Sequence, residues 1–215
     1  MDLVLIALIT VTALFSLKGF EDLHFFRKYD FHIGSIRKGE QIRMLSSGFL
    51  HADYIHLGFN MLTLYFFAPK VIDELGDLLF LLVYFVSLVG GSLLTLVLHK
   101  DDYSYRAIGA SGAVTGIVFS AILVDPSMRM GLLFLPRQLY MPGWIFGIVY
   151  LLYSIYGMRA KRDNIGHTAH FGGAIGGYAI TLAYQPNLFT DQTFTVIALA
   201  IPIVALFVLE RLGKL

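Results

Sequence analysis

The sequence predicts an all-α protein, a polytopic membrane helix bundle, and two observations lead to this fold class. Of the 215 residues, 57% are hydrophobic and only 14% are charged, whereas a soluble domain carries about a quarter charged residues. The apolar residues also form runs close to the roughly 20 residues with which a helix crosses the hydrocarbon layer. Spanning β-strands are only about 9–11 residues long and alternate in polarity, so a barrel does not fit. We therefore expect a multi-pass integral membrane protein in contact with the lipid bilayer.

Seven apolar runs predict the spanning helices. In chain order they are Leu3–Leu17, Ile55–Pro69, Leu79–Leu98, Ala107–Val124, Leu139–Met158, Ile165–Gln185 and Gln192–Leu209. The first run follows Met1 and Asp2 without a basic segment or a small-residue cleavage site, so we expect a retained helix rather than a cleaved signal peptide.

Two other stretches need a separate interpretation. Lys18–Asp53 mixes charged and aromatic residues, which suits a segment that lies in the headgroup layer. Met130–Pro136 is apolar but too short to span the bilayer, so we expect a loop that dips into it.

Charge and cysteine content exclude several classes of partner and site. The formal net charge is +1, which gives no reason to expect a nucleic acid partner. The chain has no cysteine, so disulfides, thiolate metal sites and a cysteine nucleophile are excluded.

The second run contains two polar side chains, which in lipid normally face a bundle interior or a wet cavity. His56 and Asn60 are four residues apart, so they lie on one helix face. Both can donate hydrogen bonds, which suits the stabilisation of a developing oxyanion. The alternative is that they only hydrogen-bond between helices.

Ser111 lies near the start of the fourth run, within the string G-A-S-G at 109–112. Free amides and the positive end of the helix dipole favour a negative charge close to such a position. Gly112 and Gly116 form a face of small residues that allows another helix to approach closely. A serine in a membrane helix also often bonds only to its own backbone.

The sixth run places His170, Gly173 and Gly177 on one helix face. The glycine face of the fourth run is the expected partner of this face. That packing brings His170 toward Ser111. A neutral imidazole within reach of a hydroxyl is the arrangement that nucleophilic catalysis needs.

Three segments together resemble the rhomboid intramembrane serine proteases, over essentially the whole chain. They are H-L-G-F-N at 56–60, G-A-S-G at 109–112 and A-H-F-G-G-A-I-G-G at 169–177, in the second, fourth and sixth runs. The resemblance implies a rhomboid-like six-helix core over residues 1–185, with a long and partly interfacial first loop at 18–53. It also implies an additional C-terminal transmembrane helix with a short tail over 186–215.

The resemblance further implies a site and an activity. The site is a Ser–His dyad of Ser111 and His170, with an oxyanion site from the His56 and Asn60 side chains and the Ser111 amide. The activity is that of a serine endopeptidase that cleaves transmembrane segments of single-span membrane-protein substrates, without a metal or another cofactor. The expected location is the plasma membrane.

Supporting positions follow from the same resemblance: Arg43 and His51 in the first loop, and the glycines Gly109, Gly112, Gly116, Gly173 and Gly177. Two positions depart from the family. Ile42 stands where a tryptophan is usual, and Thr115 stands where some members place an aromatic ring against the catalytic histidine. The sequence shows no obvious replacement for that ring, and His167 is a candidate neighbour of His170.

Two other functions compete with this one. A non-catalytic rhomboid-like protein that binds membrane helices would be expected to lack the serine or the histidine, and this chain has both. A metal site could use His51, Asp53, His56, His167 and His170. However, the chain has no H-E-x-x-H motif and no carboxylate within a run near these histidines.

Orientation is a separate question. The resemblance implies that Ser111 lies toward the outer side of the membrane, which places 13 of the 16 lysines and arginines outside. The positive-inside rule predicts the opposite orientation. We expect the family's orientation, with the first loop lying in the headgroups.

Overall fold

The computed structural model describes residues 2–131, 136–160 and 166–214. Most of this part of the chain is helical, with α1 Leu3–Glu21, α2 Leu23–Tyr29, α3 Ile33–Ile36, α4 Arg43–Ser46, α5 Tyr54–Leu75, α6 Asp77–Leu98, α7 Ser111–Val124, α8 Gly143–Ala160, α9 His167–Tyr184, α10 Leu188–Asp191 and α11 Thr193–Arg211. Two short antiparallel ladders pair β1 Phe31–His32 with β2 Arg106–Ala107, and β3 Arg129–Met130 with β4 Met141–Pro142. Short 3₁₀ turns cover Ser47–Phe49 and Arg137–Leu139.

The predicted fold class is confirmed. Within the described ranges, α1, α5, α6 and α11 are long and apolar enough to cross a bilayer. Helices α8 and α9 have 18 residues each, and α7 is a shorter apolar helix of 14 residues. A helix satisfies its own backbone in lipid, so this bundle is that of a multi-pass integral membrane protein.

Helix α5 is longer than predicted. The second apolar run was expected to end at Pro69, but the helix continues to Leu75. Proline is tolerated inside membrane helices because neighbouring groups satisfy the carbonyl that it leaves free. The turn into α6 is then made by Gly76 alone, at a φ of 82° that suits glycine.

Helix α7 begins later than predicted, at Ser111 rather than at Ala107. Residues 106–107 pair instead as a strand with 31–32 of the first loop. Gly109 then takes a φ of 118°, which turns the chain before the helix starts. Ser111 is therefore the first residue of its helix, not a residue a few positions inside it.

Helix α7 is the centre of the bundle. Every residue from Gly112 to Leu123 is buried, and α5, α6, α8 and α9 all contact this helix. A helix that is apolar all round is expected to be enclosed in this way. Fourteen residues reach about 21 Å, less than the ~30 Å of the hydrocarbon core. Helix α7 therefore cannot cross the core by itself.

Helix α9 passes so closely between α6 and α7 that only glycine fits at the crossings. A methyl group built on Gly173 or Gly177 would overlap the backbone of α7 at Gly112 or Gly116, respectively. On its other side, a methyl group on Gly172 would lie 2.5 Å from a carbonyl oxygen of α6. In each of the glycine pairs 172–173 and 176–177, the first residue thus allows close contact with α6 and the second with α7.

The first loop is folded. Its short helices bury a small cluster of Phe31, Ile33 and Ile36. The expected position of residues 18–53 in the headgroup layer remains a prediction. The expected dipping loop at 130–136 begins in the β3–β4 ladder, and residues 132–135 lie outside the described part of the chain.

Candidate active site

Ser111 and His170 are hydrogen-bonded to each other. The distance between Ser111 Oγ and His170 Nε2 is 2.7 Å. Ser111 is half-buried at the start of α7, and His170 is buried in the first turn of α9. The contact follows from the crossing of the two helices, because Gly112 and Gly173, which touch there, are one and three residues away. When Ser111 donates its proton, Nε2 accepts it.

Ser111 lies at the N-terminus of α7, the end of the helix that carries its free amide groups. Ala110 precedes the helix and provides no side-chain cap. The first amides of a helix have no carbonyl partner within it, and the helix dipole adds partial positive charge there. An oxyanion that forms next to Ser111 would therefore meet a favourable field.

Gly109 allows the His56 ring to approach Ser111. A methyl group built on Gly109 would lie 2.8 Å from His56 Cε1 and 3.7 Å from Ser111 Oγ. The Ala52 amide donates to His56 Nδ1 over 3.4 Å, so the neutral ring carries its proton on Nε2. His56 thus presents an N–H donor beside the serine.

Asn60 lies one turn further along α5 and is buried. Its Nδ2 donates to the backbone carbonyl of His56 over 2.9 Å. This bond uses one of the two N–H groups of the carboxamide. Asn60 therefore retains a second donor on the helix face that it shares with His56.

His51 connects the first loop and α1 to the backbone just before Ser111. Its Nε2 accepts a 3.3 Å hydrogen bond from the Ala110 amide, and its Nδ1 lies 2.9 Å from Ser16 Oγ. Nδ1 must then be the donor, because the Ser16 hydroxyl donates its one hydrogen bond to the Phe49 carbonyl over 2.7 Å. Complete burial lowers the pKa of His51 to about 3. The ring is therefore neutral, as this bonding pattern requires.

Replacing His51 with glutamine is expected to make stability less dependent on pH. The unfolded state binds a proton near pH 6.5 and the folded state only near pH 3, so the parent loses up to about 1.4 kcal/mol of unfolding free energy per pH unit as pH falls through this window. Glutamine can accept and donate in a similar way but does not titrate. The difference in unfolding free energy between parent and His51→Gln, measured in detergent micelles from pH 7 to 5, should narrow. Parallel pH curves would contradict the assignment.

Asp30 is the centre of an ion cluster that the sequence analysis did not identify. It is fully buried and contacts Arg43 at 3.0 Å and Arg106 at 2.7 Å. Arg43 also bonds to Glu40 at 2.6 Å. Because Arg106 belongs to β2, the cluster ties the first loop to the segment that leads into Ser111. Asp30 stands in a charged stretch, where nothing local indicates burial.

Thr115 and His170 share an aromatic neighbour that sequence analysis also missed. The Tyr150 ring from α8 is stacked on the His170 ring, with centroids 5.9 Å apart and planes 24° apart. Its hydroxyl lies 3.1 Å from Thr115 Oγ1. His167, the expected neighbour, meets His170 edge-on with centroids 6.3 Å apart. The available signal was a tyrosine in the middle of a run, away from the membrane interfaces where tyrosines are common.

The residues weighed as a metal site do not converge. His51 and His56 have ring centroids 4.9 Å apart, but Asp53 caps α5 by accepting from the His56 amide. His167 lies on α9 against α8. Across residues 2–131, 136–160 and 166–214, no group of three or more potential ligand side chains is placed to share an ion.

A small cavity of about 30 Å³ lies beside Ser111. Its lining includes the hydroxyl-bearing residues Ser47, Ser92 and Thr95. The rest of the lining is mostly apolar, and the volume is large enough for a water molecule.

Comparisons with known proteins identify the family of the chain. The Rhomboid domain family model matches residues 38–187, more than half of the chain. The chain is 32% identical over 146 residues to the putative rhomboid protease YdcA of Bacillus subtilis, covering 68% of each protein. It is 28% identical over 158 residues to RHOMBOID-like protein 12, mitochondrial, of Arabidopsis thaliana, covering 66% of this chain and 46% of that protein.

A third relative is the rhomboid protease GluP of Bacillus subtilis, 29% identical over 143 residues, which cover 66% of this chain and 26% of GluP. The chain thus spans less than half the length of two of these three relatives. The family match extends over all three of the segments that surround Ser111 and His170. The chain belongs to the rhomboid family of membrane proteins.

Proposed function

We propose that this chain is an intramembrane serine endopeptidase, with Ser111 as nucleophile and His170 as general base. The observation that carries the proposal is the 2.7 Å hydrogen bond between Ser111 Oγ and His170 Nε2, made where a buried helix begins. Two of the relatives are named rhomboid proteases, which supports proteolysis at the level of the family.

The proposed reaction has two stages. Ser111 Oγ attacks the substrate carbonyl carbon while His170 Nε2 takes the hydroxyl proton. The carbonyl oxygen becomes an oxyanion, for which His56 Nε2–H, an Asn60 N–H and the Ser111 amide are the proposed donors. His170 then gives its proton to the leaving amine as the C–N bond breaks. In the second stage, water hydrolyses the acyl-enzyme with His170 as base and restores the serine.

The proposed substrates are single-span membrane proteins. Ser111 can attack only a carbonyl whose local helix has opened, and non-helical backbone within a membrane is tolerated only inside protein or next to water. The cavity beside Ser111 has room for a water molecule next to such backbone. We therefore expect that transmembrane segments with glycine or proline near the cleavage site are cut faster than uninterrupted helices.

A fluorophosphonate probe and a transmembrane reporter together test the proposal. The purified protein in detergent micelles is expected to be labelled covalently at Ser111 and to cleave the reporter. Ser111→Ala should do neither. Protein that cleaves the reporter without labelling, or is labelled equally in Ser111→Ala, would refute the serine mechanism. Folded protein that binds the reporter, is not labelled and leaves it intact would instead fit the rhomboid-like helix-binding alternative.

The membrane in which the protein acts is not indicated by the relatives. The names of several of them include the word mitochondrial, and others are bacterial, so they do not support the plasma membrane predicted from the sequence. That location and the orientation remain predictions. Protease accessibility of a tag inserted after residue 160 in intact cells tests both.

A further inference from the structure

Tyr150 is connected to both members of the dyad, to His170 directly through its ring and to Ser111 through the Thr115 hydroxyl. The Thr115 hydroxyl donates to the Ser111 carbonyl over 2.8 Å. Because a threonine hydroxyl has only one proton, Tyr150 must be the donor in the 3.1 Å contact between the two hydroxyls. Two consecutive hydrogen bonds therefore link the Tyr150 hydroxyl, through the Thr115 hydroxyl, to the backbone carbonyl of Ser111.

The ring of Tyr150 contacts the other member of the dyad, His170. It stacks on the His170 imidazole, whose Nε2 is the atom that bonds to Ser111 Oγ. Phe146, one turn earlier on α8, stacks in turn on Tyr150, with planes only 9° apart. The Tyr150 ring is thus held at its hydroxyl end by α7 and along its face by its own helix.

We propose that Tyr150 is a positioning residue, which holds the His170 imidazole so that Nε2 faces the Ser111 hydroxyl. The inference rests on the proposed function. A histidine side chain has two rotatable bonds, and a misplacement of about 1 Å in a catalytic group costs about 100-fold in rate. A ring stacked against the imidazole restricts its rotation and leaves the Nε2 acceptor free to bond to Ser111. The ring rather than the hydroxyl should therefore carry most of the effect.

Three variants separate the ring from the hydroxyl and from the fold. Tyr150→Leu is expected to lower kcat and the rate constant of fluorophosphonate labelling by about 10- to 100-fold, with KM within about twofold of the parent. Tyr150→Phe keeps the ring and should retain at least about a third of the parental kcat. Tyr178→Leu is the matched control. Tyr178 lies two turns beyond His170, and like Tyr150 it donates its hydroxyl proton to a neighbouring helix, here to the Val196 carbonyl of α11 at 3.0 Å.

Several results would overturn the inference. They are a parental labelling rate in Tyr150→Leu, an equal loss in Tyr150→Phe, and an equal loss in Tyr178→Leu. A thermal midpoint in detergent micelles is measured for every variant, and rates are expressed per folded molecule. A loss of kcat that only follows the folded fraction would also overturn it.

A spectroscopic readout separates this inference from the proposed function. In protein labelled with ¹³C and ¹⁵N at histidine, the His170 ring signals, assigned with His170→Ala, should carry a ring-current shift that disappears in Tyr150→Leu and persists in Tyr150→Phe. If the parent is inert toward substrate and probe, the proposed function fails, and this shift still decides whether Tyr150 holds His170. Identical His170 signals in parent and Tyr150→Leu would refute the positioning role.

Discussion

Alanine at Ser111, at His170 or at both positions is expected to leave the same residual kcat, lower than that of the parent by at least about 10⁴-fold. The two side chains act as a unit in the proposed reaction. Without the hydroxyl there is no nucleophile, and without the imidazole the hydroxyl retains its proton. Removing the second member should therefore cost nothing further. Cleavage of the transmembrane reporter, measured at saturating concentration for the three variants, tests this expectation.

Ser120→Ala is the matched control for the dyad variants. Ser120 is buried on the same helix as Ser111, and its hydroxyl accepts a 2.7 Å hydrogen bond from Thr181. This substitution removes a similar polar contact between α7 and α9 without touching the dyad, so kcat should stay close to that of the parent. A double variant whose loss is the product of the two single losses would show that Ser111 and His170 do not act together.

Gly173→Ala is expected to be the most destabilising single methyl group that can be added to the bundle. The new Cβ would overlap the carbonyl oxygen of Gly112, which is backbone and cannot rotate away. Overpacking of this kind costs about 3 kcal/mol or more of unfolding free energy. The kcat per folded molecule should also fall, because His170 lies less than one helical turn before the clash and would be displaced with it. Thermal or denaturant unfolding in detergent micelles, followed by reporter cleavage, measures the two effects.

Gly58→Ala is the control, and its unfolding free energy is expected to stay the same or to rise. Gly58 is exposed within α5, and a methyl group built on it meets nothing within 4 Å. Alanine is favoured over glycine inside a helix by up to about 1 kcal/mol, so this variant should be equally stable or more stable than the parent. An equal loss in both variants would mean that the α7–α9 crossing is not as close as the structure has it.

The composition and spacing of residues were sufficient for the fold class and for a hypothesis about the site. The deficit of charge and the length of the apolar runs follow from the solvent, because a chain in lipid must bury its backbone polar groups in helices. The pairing of Ser111 with His170 was predicted from helical periodicity, since i, i+3 and i+7 spacing puts a histidine and two glycines on one face. The structure places these two side chains 2.7 Å apart, and their chemical roles remain the proposal.

Other parts of the site required the coordinates, because they depend on contacts between residues far apart in the chain. Ser16 could have been noticed as a polar residue in an apolar run, but its partner His51 is 35 positions away. Nothing near Asp30 indicates that Arg106 neutralises it, 76 positions further on.

The aromatic ring beside His170 shows most clearly which features the sequence determined and which only the tertiary structure decided. The sequence showed that position 115 is threonine, where some members of the family have an aromatic residue, because the identity of a residue can be read directly. It could not show that Tyr150 of α8 stacks on His170, because the rotation of one helix about its axis against another is set by packing across the whole bundle. Side-chain periodicity determines which residues share a face, whereas the close approach of backbones at the glycine crossings determines which faces meet.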